Sequence, residues 1–401
     1  MYAYWVIADY RAYLYSYSSD LVGLQKAAHL QPRNAEYQRL VGQYFWYLHN
    51  WQEAVGAYRR ALALNPREPR FWLDLAQFYE MTGDHRNNVA ALDRALQLDV
   101  TNPSLALEIA NYYLLGNEIE KALHAFRLVA MYSDDENEVR LAMDRSWRAT
   151  DDINRVIKDV MPDSPPAHFF LIESLLRRDE IAAVKPVWLH LIGLKAAFDP
   201  RLAFPYIESL LRSGAANDAA RAWRDMANSG LLQSVSSDNL VTNGSFEADI
   251  LNGGFDWRYE ALPNVSVSID TNDANDGEKS LAATFTGGAT AGVGIAQYIA
   301  VQPDTEYVFS AYVKTEDIEG KSGPTFIIAD IPAAKVNVAT EELLGTTEWR
   351  RQKTKFKTAT DTRLLLLRIG RSDTAAPIRG KIWIDDVRLT AVRDSNDILL
   401  K

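Results

Sequence analysis

The sequence predicts a two-part chain, an all-α array of helical hairpins followed by an all-β two-sheet sandwich. Three observations carry this. Small and aromatic residues recur every 34 positions through the first third of the chain. After residue 235, short alternating apolar runs punctuated by Gly, Pro, Asn and Asp take over. All six histidines and seven of the ten tryptophans lie before that point, while glycine and threonine concentrate beyond it. At 401 residues and 45.1 kDa the chain has room for two domains. We expect helical repeats over 1–232, a Ser-rich linker at 233–237, a sandwich over 238–392 and a tail at 393–401.

Composition narrows the function classes. Apolar residues make up 47% and charged residues 24%, which excludes wholesale disorder. No cysteine is present, so disulfides, thiolate metal sites and Cys nucleophiles fall away together. The net charge is −10 and no basic stripe appears, so no nucleic-acid partner is expected. The long uncharged run Ser280 to Pro303 carries four glycines, and reads as strands and turns rather than a membrane span. Near the N-terminus, Asp9 and Arg11 interrupt the apolar residues, and no export signal is visible.

The helical period can be counted. Gly42, Phe45, Ala54, Tyr58, Ala61 and Pro66 are followed 34 residues later by Ala76, Tyr79, Asn88, Leu92, Ala95 and Val100. A further step of 34 gives Ala110, Tyr113, Ala122, Phe126, Val129 and Asp134. Small residues belong where paired helices approach closely, and aromatics fill the space between pairs. Gly83 and Asn117 fall at the turns, where a positive φ is expected. Further on, the run from Ile172 to Arg177 recurs as Ile207 to Arg212, and Trp188 recurs as Trp223, each at an offset of 35. This predicts two more hairpins across 167–232, with 137–166 read as an irregular spacer. Residues 1–34 read as a divergent first repeat.

The small-residue, aromatic and proline positions of 35–136 resemble the tetratricopeptide repeat. That resemblance implies an inner groove lined by the first helix of each hairpin, taking a protein or peptide partner. The matching rows are Arg39, Leu73 and Leu107, then Gln43, Gln77 and Asn111, then Trp46, Glu80 and Leu114. Three carboxamides at constant spacing can donate to and accept from an extended backbone. They can equally bond neighbouring helices.

The second part alternates at strand period in VSVSID (265–270), SLAATF (280–285), YVFSAYVK (307–314), TFIIAD (325–330), RLLLLRI (363–369) and KIWIDDVRL (381–389). Eight to ten strands are expected. In order along the chain stand NLVTNGSFE (239–247), Trp257, DGEKSL (276–281), QYIAVQPDTEYVFSAYVK (297–314), EWRRQKTKF (348–356) and IWIDDVRL (382–389). That order resembles the jelly-roll carbohydrate-binding modules attached to many glycoside hydrolases. The resemblance implies a structural calcium held by Glu247, the carbonyls of the turn ending at Lys279, and Asp386. It also implies a polysaccharide partner, which needs exposed flat rings. The candidates are Trp257, Tyr259 and Tyr298, with Trp349 beside them. In an extended strand Trp257 and Tyr259 would point the same way, about 7 Å apart, forming a platform if that face is solvated and core if it faces the other sheet.

Catalysis finds little support in the sequence. No histidine follows residue 235, and no GxSxG, HExxH or GxxxxGK[ST] pattern occurs. The one dense acidic set in a strand region, Glu316, Asp317 and Glu319, reads as a loop. We therefore expect a non-enzymatic adaptor that holds a peptide on its repeats and a glycan on its sandwich. The resemblance points to the bacterial cell envelope outside the cytoplasm, in polysaccharide assembly or export. A purely structural scaffold without a sugar site, and a cryptic glycoside-active enzyme, are the alternatives.

Overall fold

The computed structural model describes residues 2–17, 20–232, 238–331 and 335–392. The linker expected at 233–237 and the tail expected at 393–401 lie outside the described residues. The chain divides into two compact units, 1–174 and 175–401.

The first unit is a stack of helical hairpins: α1 (Tyr2–Ser16) with α2 (Leu21–Leu30), α3 (Ala35–Tyr47) with α4 (Trp51–Leu64), α5 (Pro69–Thr82) with α6 (His85–Leu98), and α7 (Pro103–Leu115) with α8 (Ile119–Tyr132). Next come α9 (Glu136–Thr150) and α10 (Ile153–Asp159), and the unit ends inside α11 (Pro165–Arg177). The expected spacer at 137–166 is thus corrected: most of it is a further helical pair. Asn34, Asp84, Asn102, Asp135 and Asp152 cap their helices by accepting backbone N–H groups. Gly83 and Asn117 both take positive φ at the hairpin turns, as their positions predict. Gly42 has no substitute, because a Cβ there would fall 2.7 Å from the Tyr58 ring.

Asp74 is buried in this unit beside Arg39, 3.4 Å away. Burial pushes its carboxyl up to about 6, against the opposing pull of Arg39. The native state therefore holds this proton at a pH where the unfolded chain has released it. Stability from this group falls as pH rises from about 4 to about 6, by roughly 3 kcal/mol. Asp74→Asn is expected to flatten that slope in thermal melts followed by helical circular dichroism. An unchanged slope would count against the burial argument.

The second unit opens with α12 (Ile181–Gly193), a 3-10 turn (Pro200–Ala203), α13 (Phe204–Arg212) and α14 (Ala216–Asn228). Ten strands follow: β1 (Arg258–Tyr259), β2 (Val265–Asp270), β3 (Ser280–Ala289), β4 (Gly292–Ala300), β5 (Glu306–Gly320), β6 (Thr325–Asp330), β7 (Asn337–Ala339), β8 (Gly345–Lys357), β9 (Leu364–Gly370) and β10 (Pro377–Ala391). They form two antiparallel sheets, in the orders β1-β4-β9-β6-β7 and β2-β3-β10-β5-β8. Phe246, Trp257, Phe309, Phe326, Leu365 and Ile384 lie in one apolar cluster at the heart of the sandwich. The opening motif has a physical reason. Gly244 passes so close to β10 that a Cβ would fall 2.1 Å from the Val387 carbonyl. The Val387 N–H in turn donates to the Gly244 carbonyl.

Helices α13 and α14 pack on the segment before β1. The Trp223 ring lies 6.3 Å from Phe204 and 6.2 Å from Phe255, centroid to centroid. Gly254 has φ +58, and a Cβ there would stand 2.4 Å from Trp223. Glu208 on α13 pairs with Arg258 on β1. Sequence period assigns this helical pair to the repeats, yet it shares a compact unit with the sandwich.

Candidate functional site

In the first unit, first helices of successive hairpins are tied side chain to side chain. Arg39 reaches Asp74, and Arg70 reaches Glu108. Ser104 donates to Glu138 at 2.6 Å, and Arg140 pairs with Glu173. The expected groove residues sit among these ties. Gln77 is half-buried, and Asn111 accepts from Arg145. Gln43 is exposed, Glu80 is half-buried, and Trp46 packs edge-on against Trp51 with centroids 5.0 Å apart. Leu73, expected in the Arg39 row, is fully buried, and its neighbour Asp74 is the residue that meets Arg39.

A recess of about 620 Å³ opens beside Asn111, lined by Leu114, Leu115, Ile119, Arg145 and Arg148. Leu115 is 72% exposed, an apolar contact left to solvent. The two arginines were missed from sequence, although Arg145 stands 34 residues after Asn111 and continues the row. Reading 137–166 as a spacer hid it.

On the sandwich, the three aromatic candidates separate. Trp257 is corrected: it is fully buried, stacked on Phe246 at 5.2 Å, and donates its indole N–H to the Asn243 carbonyl at 2.9 Å. The segment 253–257 is a turn rather than a strand, so alternation does not set Trp257 beside Tyr259. Tyr298 is half-buried on the outward side of β4, and the Arg258 guanidinium covers its ring at 4.6 Å. Tyr259 remains 42% exposed. It borders a recess of about 300 Å³ lined by Asn252, Val267, Ser268, Ile269 and Ile295. Trp349 is half-buried and donates to Asp273 at 2.9 Å.

The expected calcium residues gather where the opening segment, the 271–279 turn and β10 meet. Glu247 Oε1 accepts the N–H groups of Glu278 and Lys279 at 2.7 and 2.9 Å. Asp385 accepts those of Asn275 and Asp276, each at 2.8 Å. Asp386 pairs with Arg388 and has φ +46. Lys279 Nζ donates to the Glu247 carbonyl at 2.8 Å. The turn offers Glu247 its N–H groups, and the β10 carboxylate that meets the turn is Asp385, while Asp386 faces Arg388. Among the described residues, no three His, Cys, Asp or Glu side chains converge as a metal cage.

Comparison with known proteins finds a family match in each part of the chain. Residues 238–371 match the carbohydrate binding domain family. Residues 39–103 match the tetratricopeptide repeat family. Among solved structures, a CBM4 module shares 16% identity, covering 38% of this chain and 99% of its own at a TM-score of 0.30. The CBM22-1 xylan-binding domain of Paenibacillus barcinonensis Xyn10C shares 17%, covering 40% of this chain and all of its own, at a TM-score of 0.28. MamA protein shares 13%, covering 45% and 96%, at a TM-score of 0.33. No curated protein matches the chain. Among the described residues, no helix is long and apolar enough to cross a membrane.

Proposed function

We propose that this chain is a non-enzymatic adaptor of the bacterial cell envelope, serving polysaccharide assembly or export. Its helical repeats dock a peptide, and its sandwich holds a glycan. Both matched families are binding modules rather than catalytic ones. The observation that carries the glycan arm is Tyr259, an exposed ring bordering an apolar-floored recess on the sandwich. On the repeats, Leu114, Leu115 and Ile119 beside Arg145 and Arg148 favour a peptide that is both apolar and acidic.

Affinity electrophoresis of the whole chain on soluble polysaccharides tests the glycan arm. Retardation on at least one polymer is expected, and Tyr259→Ala should abolish it without lowering the melting temperature. A folded variant that is retarded like wild type would exclude Tyr259 from the site.

We propose further that calcium binds between Glu247, the Lys279 turn and Asp386. An ion held only by the native state stabilises it by about 2.7 kcal/mol at a hundredfold excess over Kd. EDTA should therefore lower the sandwich melting temperature, and Glu247→Gln should remove the response. Identical melts with and without chelator reject the ion.

A further inference from the structure

Strand β8 is the outermost strand of its sheet, and its pairing with β5 fixes which way each side chain points. Phe356 lies opposite Tyr307, and both belong to the apolar cluster inside the sandwich. The alternate positions therefore face solvent. They are Arg351, Lys353, Lys355 and Lys357, and all four are exposed. No basic stripe stands out along the chain because Gln352, Thr354 and Phe356 separate these cations, and the pleat gathers them on one face. The row spans about 20 Å, with a positive charge roughly every 7 Å.

Little answers this charge. Glu306 pairs with Lys355 at 2.7 Å, and Arg351 donates to the Ser310 hydroxyl at 3.0 Å. Arg388, on the same face beyond Ser310, is occupied by Asp386. Glu348 sits past the end of the row, 3.7 Å from Lys314. Among the described residues, Lys353 and Lys357 meet no carboxylate at ion-pair distance. A chain of net charge −10 thus carries four adjacent cations with a single carboxylate paired among them.

An edge strand often carries lysines to keep other strands away, but either sign of charge does that. Four cations in a straight line complement a line of anions. The spacing selects the kind. Duplex DNA carries a charge about every 1.7 Å of its axis, far denser than this row. A flat anionic surface would press on Glu348, whose side chain is 90% exposed, as well as on the row. A linear chain with one carboxylate on each sugar matches both the width of a single strand and the charge density along it. We propose that the outer face of β8 binds an acidic polysaccharide, a polyuronate, along Arg351, Lys353, Lys355 and Lys357. That the line of anions is a glycan rests on the reading above, while this face belongs to the other sheet from Tyr259.

The test is affinity electrophoresis and calorimetry on the whole chain, with polygalacturonate as probe and its fully methyl-esterified form as control. The two polymers share a backbone and differ in charge. Polygalacturonate should bind at least tenfold more tightly, and its affinity should fall steeply as salt is raised. Lys353→Glu combined with Lys357→Glu should weaken binding tenfold or more and leave the melting temperature unchanged, because both side chains are exposed. The reversed charges still keep other strands off the edge, so the loss belongs to binding. Should that variant melt early, Lys353→Gln with Lys357→Gln should still lower the affinity severalfold. No retardation on polygalacturonate, equal affinity for the ester, or wild-type affinity in the folded double variant would overturn the site. Tighter binding of duplex DNA or of phosphatidylserine vesicles would overturn the polyuronate as partner. Retardation on polygalacturonate lost in Tyr259→Ala but kept in the lysine variant would overturn this face and leave the glycan arm standing. The opposite pattern would support this face and exclude Tyr259 from binding that polymer.

Discussion

Trp257→Ala is expected to destabilise the sandwich by about 3–5 kcal/mol, enough to threaten its folding. The ring is wholly enclosed, and its truncation leaves a large void against Phe246. It also strips the Asn243 carbonyl of one of its two donors, leaving the Phe246 N–H. Asn243 has φ +48 and its side chain exchanges two hydrogen bonds with Ala248, so the opening segment loses an anchor at a tight turn. Trp257→Phe should cost less, since a ring remains to meet Phe246. Urea denaturation of the full chain measures both. A sandwich midpoint unmoved by Trp257→Ala would contradict the buried assignment and return this ring to the candidate surface.

The second large effect comes from α13 and α14. Residues 175–401 are expected to fold more stably than residues 238–392, by several kcal/mol. Removing the helical pair exposes Phe255 and the flat backbone of Gly253 and Gly254, which accept Phe204 and Trp223 at distances no side chain would tolerate. It also leaves Arg258, whose guanidinium lies over Tyr298, without Glu208. Burying an aromatic pair of this size is worth several kcal/mol. Melting the two fragments side by side decides the matter. Equal melting temperatures would show that the helices merely rest on the sandwich.

Much of the fold was legible because period and burial coincide. The runs at 265–270 and 325–330 became β2 and β6 with the same boundaries. β4 carries Gly292 and Gly294, residues that weaken a strand pattern. Both are demanded by crowding, since a Cβ would fall 2.2 Å from the Ile369 carbonyl in one case and from the Glu260 carbonyl in the other. The hairpin α9–α10 escaped because Asp144 and Val156 replace the small residues of its neighbours, although Trp147 keeps the aromatic 34 residues after Tyr113. The site was legible only in part. Alternation along a strand pairs Trp257 with Tyr259, whereas the burial of Trp257 depends on a turn that alternation does not describe. The partnership of Trp223 with Phe255 joins positions that belong to different periodic patterns, and no local rule connects them.

The glycan arm is the claim on which the adaptor reading turns. A polysaccharide array probed with the whole chain, wild type beside Tyr259→Ala, tests it most directly. The account predicts signal on at least one polymer class for wild type and background for the folded variant. A blank array for wild type, with the protein shown to be folded, would contradict it.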